Sequence, residues 1–97
     1  MRITTAHLEN LTDWINHEKG YPLKAYTRTG DVFKANAGHI KVLRYNGRCH
    51  VEQIVNNGGG VRDLAHGTTR EVYEFLRGMQ AAILLDERTA RYTEDAA

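Results

Sequence analysis

The chain has 97 residues, and a chain of this length forms one small domain with a modest core, here over residues 1–97. Its 41% of hydrophobic residues and its single proline exclude a disordered chain, and no apolar run approaches the length of a membrane span. The net charge of +1 means that charges of both signs mostly cancel at long range, so only a local excess can attract a charged partner.

The first predicted element is a helix over about residues 5–18. Its apolar positions, at spacings of three and four, are Leu8, Leu11 and Ile15. Thr4 or Thr5 can cap its first turn, because a threonine hydroxyl accepts a hydrogen bond from a free backbone N–H. Gly20 supplies the stop, and Pro22 prevents the helix from resuming.

A β pattern replaces the helical one between Tyr21 and Asn57. The predicted strands are a short one around Val32-Phe33, a second over His39–Tyr45 and a third over Arg48–Val55. Asn46-Gly47 stands between the last two strands. This dipeptide favours a type I′ hairpin turn, because both residues tolerate the positive φ that the turn needs.

Two features of these strands leave alternatives open. The apolar alternation along the second strand changes phase after Val42, which predicts a bulge or a strong twist near residues 42–44. The apolar residues of the third strand also fit the spacing of one helical face, so residues 49–57 can be strand or partly helical. We favour the strand, because the Asn-Gly turn requires a partner for the second strand.

The chain then passes through a predicted loop, Arg62–Gly67, into a second helix. Thr68 or Thr69 can cap this helix, and Thr68 can form a capping box with Glu71 three residues later. The apolar stripe of the helix consists of Val72, Phe75, Leu76, Met79, Ala82, Ile83 and Leu85.

Together these elements predict an α+β fold. It consists of an N-terminal helix, a small antiparallel sheet of two or three strands with an Asn-Gly hairpin, and a C-terminal helix packed on the sheet. We expect the second helix to end near Arg88 and residues 91–97 to form a frayed tail. Domains of this size often complete their cores by oligomerising, so we also expect a homo-oligomer.

The cations are concentrated in the middle of the chain. Residues 19–50 carry seven Lys and Arg residues against one acid, a net charge of +6, whereas residues 1–18 carry −2 and residues 51–97 carry −3. Such a block raises the concentration of an anionic partner near one face. The same side chains can equally point to water from the outer face of a half-buried sheet, and the sequence does not separate the two interpretations.

Five histidines and Cys49 raise the question of a metal or catalytic site. Their spacing matches no metal-binding motif, and Cys49 and His50 point to opposite faces if they lie on a strand. His39 can face Cys49 across the hairpin, but a lone strand cysteine is more often a small core residue. We therefore expect no metal, no cofactor, no catalytic residue and no enzymatic activity.

The glycine run Gly58, Gly59 and Gly60 is a candidate anion site. Its backbone N–H groups can form a nest, and Arg62 stands two residues further on. The run lacks the Gly-Lys-Ser/Thr of a Walker loop and the spacing of a dinucleotide fingerprint. The alternative is a plain connection between the last strand and the last helix.

Aromatic and cationic residues alternate around Lys41, Arg44, Tyr45 and Arg48. Rings that stack on bases and cations that meet phosphates suit nucleotides, and the same mixture suits a protein interface. A competing structural interpretation places one or two of Tyr26, Phe33 and Tyr45 in the core.

Four motifs carry a resemblance to a known group. They are Ala-Asn-Ala-Gly-His at residues 35–39, Tyr-Asn-Gly-Arg-Cys-His-Val at residues 45–51, Asn-Asn-Gly-Gly-Gly-Val at residues 56–61 and Thr-Arg-Glu-Val-Tyr-Glu-Phe-Leu at residues 69–76. The chain resembles small uncharacterised proteins of tailed bacteriophages and prophages over about residues 8–83. The resemblance implies a phage origin and a small α+β fold, but no particular activity and no catalytic residue.

We therefore expect a non-enzymatic phage accessory protein that acts in host takeover or counter-defence. It would bind and block a host protein or sequester an anionic, nucleotide-like small molecule; the alternative is a DNA- or RNA-binding module that uses the cationic hairpin. The candidate contact residues are Lys41, Arg44, Tyr45, Arg48, Gly58, Gly59, Gly60 and Arg62. No apolar block follows Arg2, and one cysteine cannot form an internal disulfide, so we expect the host cell cytoplasm and no membrane.

Overall fold

The computed structural model describes the backbone of residues 2–96 and the side chains of residues 2–88. Its elements in chain order are α1 (Thr5–Lys19), β1 (Tyr26–Thr29), β2 (Val32–Ala35), β3 (Ile40–Tyr45), β4 (Arg48–Ile54), β5 (Val61–Gly67) and α2 (Thr69–Ala96). The predicted α+β class, with a helix at each end and antiparallel strands between them, is confirmed. None of the helices in this part of the chain combines the length and the apolarity that a membrane span requires.

α1 begins and ends at the residues that its sequence signals indicate. The Thr4 hydroxyl accepts a hydrogen bond from the His7 backbone N–H at 3.3 Å, and the His7 ring accepts one from the Thr4 N–H at 2.9 Å. Gly20 ends the helix in the left-handed region at φ 69°, which a glycine adopts without steric cost. Leu8 and Ile15 are fully buried on the inner side of the helix.

β1 and β2 form a separate two-stranded antiparallel hairpin around Gly30 and Asp31. The sequence predicts only the second of these strands, around Val32-Phe33. All four residues of β1 are exposed, so no apolar alternation marks this strand in the sequence.

β3, β4 and β5 form a three-stranded antiparallel sheet in that order. Tyr45 lies opposite Arg48, and between them Asn46 and Gly47 have positive φ values of 54° and 73°. β4 is a strand through Ile54, so the alternative in which this segment is partly helical is wrong.

The loop predicted over Arg62–Gly67 is also wrong, because β5 occupies Val61–Gly67. Most of its residues are exposed or only half-buried, so the segment has no clear apolar alternation. Pairing with β4 holds it in the sheet, so β5 is specified by its partner strand and not by an apolar pattern of its own.

One residue of β5 interrupts its pairing with β4. Val51 lies opposite Ala65, but the next residue, Glu52, lies opposite Asp63, which leaves Leu64 without a partner. This two-against-one arrangement is a bulge in β5. β3 pairs with β4 without any register shift, so the alternative of a bulge within β3 is wrong.

α2 begins with the predicted capping box. The Thr68 hydroxyl accepts a hydrogen bond from the Glu71 N–H at 3.1 Å, and the Glu71 carboxylate accepts one from the Thr68 N–H at 3.0 Å. The helix continues to Ala96, so the predicted end near Arg88 is wrong. No glycine or proline follows Arg88 to stop it. Fraying of residues 91–97 stays a prediction.

The core lies between the two helices and one face of the three-stranded sheet. It consists of Leu8, Leu11, Ile15, Ile40, Cys49, Val51, Val72 and Leu76. Tyr26, Phe33 and Tyr45 are all exposed, so the interpretation that places one or two of them in the core is wrong. They lie on the small hairpin and on the sheet face that the helices do not cover, where no further layer of the fold buries them.

Candidate ligand-binding face

The face of the three-stranded sheet that lies opposite the helices is open to solvent. Residues directly opposite each other in an antiparallel pair share one face. By this register the face carries Lys41, Leu43, Tyr45, Arg48, His50, Glu52, Asp63 and His66, a set that we call the open face; at the end of β4 beyond this set the same side carries Ile54, which is buried. All side chains of the open face are exposed or half-buried, whereas Cys49 and Val51, on the other face, are buried.

Three rings form a stacked row across the open face. The ring centroids of Tyr45 and His50 are 4.2 Å apart with an interplanar angle of 6°, and those of His50 and His66 are 5.7 Å apart at 24°. The Tyr45 hydroxyl lies 3.4 Å from His50 Nδ1. His66 Nδ1 lies 2.9 Å from a carboxylate oxygen of Asp63, which fixes the last ring. We call Tyr45, His50 and His66 the ring row.

The row follows from the register of the strands. His50 lies opposite Leu43 on β3 and opposite His66 on β5, so the two imidazoles are direct cross-strand neighbours. Tyr45 is the diagonal neighbour of His50, within reach of an aromatic side chain. Three strands therefore each contribute one ring.

The cations of the open face lie near the ring row. Arg48 lies opposite Tyr45, and within residues 2–88 it forms no ion pair. Lys41 lies further along β3, where its ammonium group is 5.8 Å from the centroid of the Tyr26 ring. Glu52 and Asp63 lie opposite each other on β4 and β5, away from the turn, so the end with Tyr45 and Arg48 is the cationic end.

The pKa of Glu71, in the first turn of α2, is lowered by hydrogen bonds and by nearby positive charges. The hydrogen bond from the Thr68 backbone N–H lowers the pKa of the Glu71 carboxyl most, and the bond to the Thr68 side chain lowers it further. The positive charges of Arg48 and His66 add to the lowering of this pKa.

The glycine loop is held by Asn56. The Asn56 side-chain oxygen accepts hydrogen bonds from the N–H groups of Gly58 and Gly60, both at 3.0 Å, and its backbone oxygen accepts one from Gly59 at 3.2 Å. An anion nest needs free N–H groups, and all three in this run are already bonded. A Cβ at Gly60 would lie 2.5 Å from the Asn56 Nδ2 atom, which explains a glycine there without any ligand.

The turn and the glycine loop lie at opposite ends of β4. A strand of seven residues separates them by about 20 Å. Arg62 belongs to the loop end, where its guanidinium donates to the Gln53 side-chain oxygen at 2.7 Å. Arg44 lies opposite Cys49, on the face that the helices cover.

The predicted contact residues therefore do not form one surface. The open face brings together Lys41, Tyr45 and Arg48. The residues that it does not include are Arg44, Gly58, Gly59, Gly60 and Arg62. Binding by any of these residues stays a prediction.

Cys49 is a buried core residue, as the more common interpretation of a lone strand cysteine predicts. Its sulfur lies 3.7 Å from the Thr69 hydroxyl. His39 does not face it, since His39 Nδ1 is 2.8 Å from the carbonyl oxygen of Pro22. Within residues 2–88, no three His, Cys, Asp or Glu side chains are grouped in a way that can hold a metal ion.

The sequence does not identify His50 and His66 as members of a binding surface. His66 falls in the segment predicted as a loop, and His50 stands out only as a conceivable metal ligand. The signal that links them is the pairing of β4 with β5, which requires the register of a strand that the sequence pattern does not reveal.

Comparison of this chain with protein-family models, with curated proteins and with solved structures finds no match. The function is therefore inferred from the geometry and the chemistry of the open face.

Proposed function

We propose that this protein is a non-enzymatic binding protein that holds a base-bearing anion, a nucleotide or a single-stranded nucleic acid, on its open face. The observation that carries the proposal is the ring row, with Tyr45 and His50 stacked at 4.2 Å, next to Arg48, which forms no ion pair among the described side chains. In line with the phage resemblance, the ligand or target would be met in the cytoplasm of an infected cell.

The stacking geometry defines where a base fits. Tyr45 and His50 already cover one face of each other, so the free face of Tyr45 is its outer one. Tyr45 is 49% exposed and lies on β3, an edge strand of the sheet, so a base can extend the row from that side. Stacking of this kind accepts any base, because every base has a π-face.

Arg48 is placed to meet the phosphate that accompanies such a base. It lies directly across from Tyr45, and cross-strand neighbours are about 5 Å apart at their Cβ atoms. A second cation, Lys41, lies on the same strand as Tyr45, about 13 Å away. A single-stranded nucleic acid of several nucleotides would therefore reach this second cation, whereas a mononucleotide would not.

The first test is the affinity for a short fluorescein-labelled single strand, measured by fluorescence anisotropy. Replacement of Tyr45 by alanine is expected to weaken binding about tenfold, since one base stack is worth about 1–3 kcal/mol. Phe33→Ala, which removes an even more exposed ring from the other sheet, is the matched control and should leave the affinity unchanged. Equal losses in the two variants, or no binding by the unmodified chain, would contradict the proposal.

The salt dependence separates the two sources of ligand. For a bound single strand, Arg48→Gln should reduce the slope of log affinity against log salt by about 0.7, the loss of one phosphate contact. Competition by a mononucleotide at equal base concentration would identify a nucleotide as the ligand. Much weaker competition by the mononucleotide would identify the single-stranded nucleic acid as the ligand.

Blocking of a host protein is a second candidate function, and a different observation favours it. Val32 and Phe33 on the small hairpin are 67% and 66% exposed, and the Arg28 guanidinium lies 5.4 Å from the Phe33 ring centroid. Aromatic and arginine anchors of this kind are enriched at protein interfaces. If this candidate holds, Phe33→Ala and not Tyr45→Ala abolishes capture of a host protein from infected-cell lysate.

A further inference from the structure

A pocket lies on the helix side of the sheet, behind the ring row. Its volume is about 480 Å³. The lining residues, which together we call the arginine pocket, are Arg2, Ile3, Thr4, Thr5, Arg44 and Thr69. They come from the continuous segment that leads into α1, from β3 and from the start of α2, so the fold brings three separate segments to one place.

The arginine pocket has cationic side chains and no acid among its lining residues. Within residues 2–88, the guanidinium groups of Arg2 and Arg44 take part in no ion pair and no side-chain hydrogen bond, so both keep their full donor capacity. α1 carries no acidic residue in its first turn. In the first turn of α2, the Glu71 carboxylate is engaged by the Thr68 N–H.

This set of donors matches the chemistry of a phosphate group. A guanidinium binds a phosphate through two parallel N–H donors, which makes a pair of arginines a strong phosphate clamp. The Thr5 hydroxyl supplies a further donor, while the Thr4 hydroxyl lies 3.2 Å from His7 Nδ1 and the Thr69 hydroxyl lies 3.7 Å from the Cys49 sulfur. The starts of both helices add partial positive charge from the same side.

We propose that the arginine pocket binds the phosphate group of a small phosphorylated molecule. Its volume of about 480 Å³ falls within the range of small-molecule pockets, roughly 300–1,000 Å³. The pocket therefore has room for an organic group beside the phosphate. Because Arg44 and Tyr45 are consecutive residues of β3 and point to opposite faces, this pocket is separate from the open face and does not depend on the function proposed for it.

The test is a titration of the isotope-labelled protein with inorganic phosphate. Two-dimensional NMR spectra record the chemical shifts of the amides at each phosphate concentration. The amides of Thr5 and Thr69 are expected to shift and to saturate, whereas sodium chloride at the same ionic strength should not reproduce the effect. Replacement of Arg44 by glutamine should weaken phosphate binding about tenfold or more, because a hydrogen bond to a charged group is worth about 1.5–3 kcal/mol.

Two further variants keep the proposal falsifiable. Arg2→Gln, outside every helix and strand, should weaken phosphate binding as Arg44→Gln does and decides the question if Arg44→Gln fails to fold. Arg70→Gln makes the same change of charge beside the pocket, at a residue that pairs with Glu74, and should change the affinity less than about twofold. Shifts that chloride reproduces, or an equal loss in Arg70→Gln, would overturn the proposal.

Discussion

At the scale of single residues, Asn16 attaches α1 to the edge of the sheet. Its buried side chain accepts a hydrogen bond from the Ile40 N–H and donates one to the Ile40 carbonyl, both at 2.9 Å. β3 is an edge strand, so these backbone groups have no strand partner on that side. Asn16 therefore satisfies polar groups that burial against α1 would otherwise leave unpaired.

Replacement of Asn16 by alanine is expected to lower the free energy of unfolding by about 2–4 kcal/mol, because it leaves two buried backbone groups without partners. Urea denaturation followed by circular dichroism measures the change. Asn10→Ala, on the exposed side of the same helix, should stay within about 0.5 kcal/mol of the unmodified protein. A similar loss in both variants would show that Asn16 contributes only helix propensity.

Glu71 makes stability depend on pH in a defined direction. Its folded pKa lies below the ordinary value of 4.5, chiefly because of the hydrogen bond from the Thr68 N–H. The stabilisation is therefore complete above pH 4.5 and is lost as the pH falls through the lower folded pKa. Glu71→Gln should unfold at a lower temperature than the unmodified protein at pH 7, and the difference should shrink well below pH 4.5. A difference that is independent of pH would contradict this cause.

At the scale of elements, two glycines have opposite roles. Gly47 ends the turn between β3 and β4 at φ 73°, a region that side chains rarely adopt. Gly78 lies within α2 with ordinary helical geometry, and a Cβ there would meet nothing within 4 Å. The turn needs its glycine, whereas the helix only loses stability from having one.

Gly47→Ala is accordingly expected to destabilise the protein by about 1–2 kcal/mol, while Gly78→Ala should stabilise it by about 0.5–1 kcal/mol. Both changes add one methyl group, so each variant is the control for the other in the same urea experiment. Effects of the same sign would mean that the backbone angles of these two positions do not determine the outcome.

The elements that the sequence predicts are those with strong local signals. α1 has a threonine cap, a regular apolar spacing and a terminal glycine, and Thr68 with Glu71 marks the start of α2. β1 and β5 lack an apolar alternation, since β1 is exposed and β5 contains a bulge at Leu64. Such strands are specified by pairing with their partner strands, and this pairing cannot be read from the residue pattern of the segment itself.

The same distinction applies to the candidate site. Tyr45 and Arg48 can be predicted, because they flank an Asn-Gly turn and must therefore lie opposite each other. His50 and His66 become neighbours only through the pairing of β4 with β5. The glycine run is prominent in the sequence, yet its amides are engaged by Asn56, so the side chain two residues before the run accounts for it.

At the scale of the whole molecule, the sheet separates two surfaces with different chemistry. The open face presents rings and Arg48, and the helix side contains the arginine pocket, so consecutive residues of β3 serve one surface each. Of the cationic block of the sequence, Lys41 and Arg48 lie on the open face and Arg44 lines the arginine pocket, whereas its other four cations lie on neither surface. Assembly into a homo-oligomer stays a prediction, which sedimentation at several protein concentrations measures.

If a base stacks on the ring row, the ring protons of its two histidines report the contact directly. The measurement is an NMR titration of the unmodified protein with a short single strand, with His50, His66 and the distant His17 resolved in a carbon-correlated spectrum. Stacking of a base on Tyr45 should give saturable shifts for His50 and smaller ones for His66, none for His17, and loss of the shifts in Tyr45→Ala. Equal shifts for all three histidines, or shifts that persist without the Tyr45 ring, would contradict it.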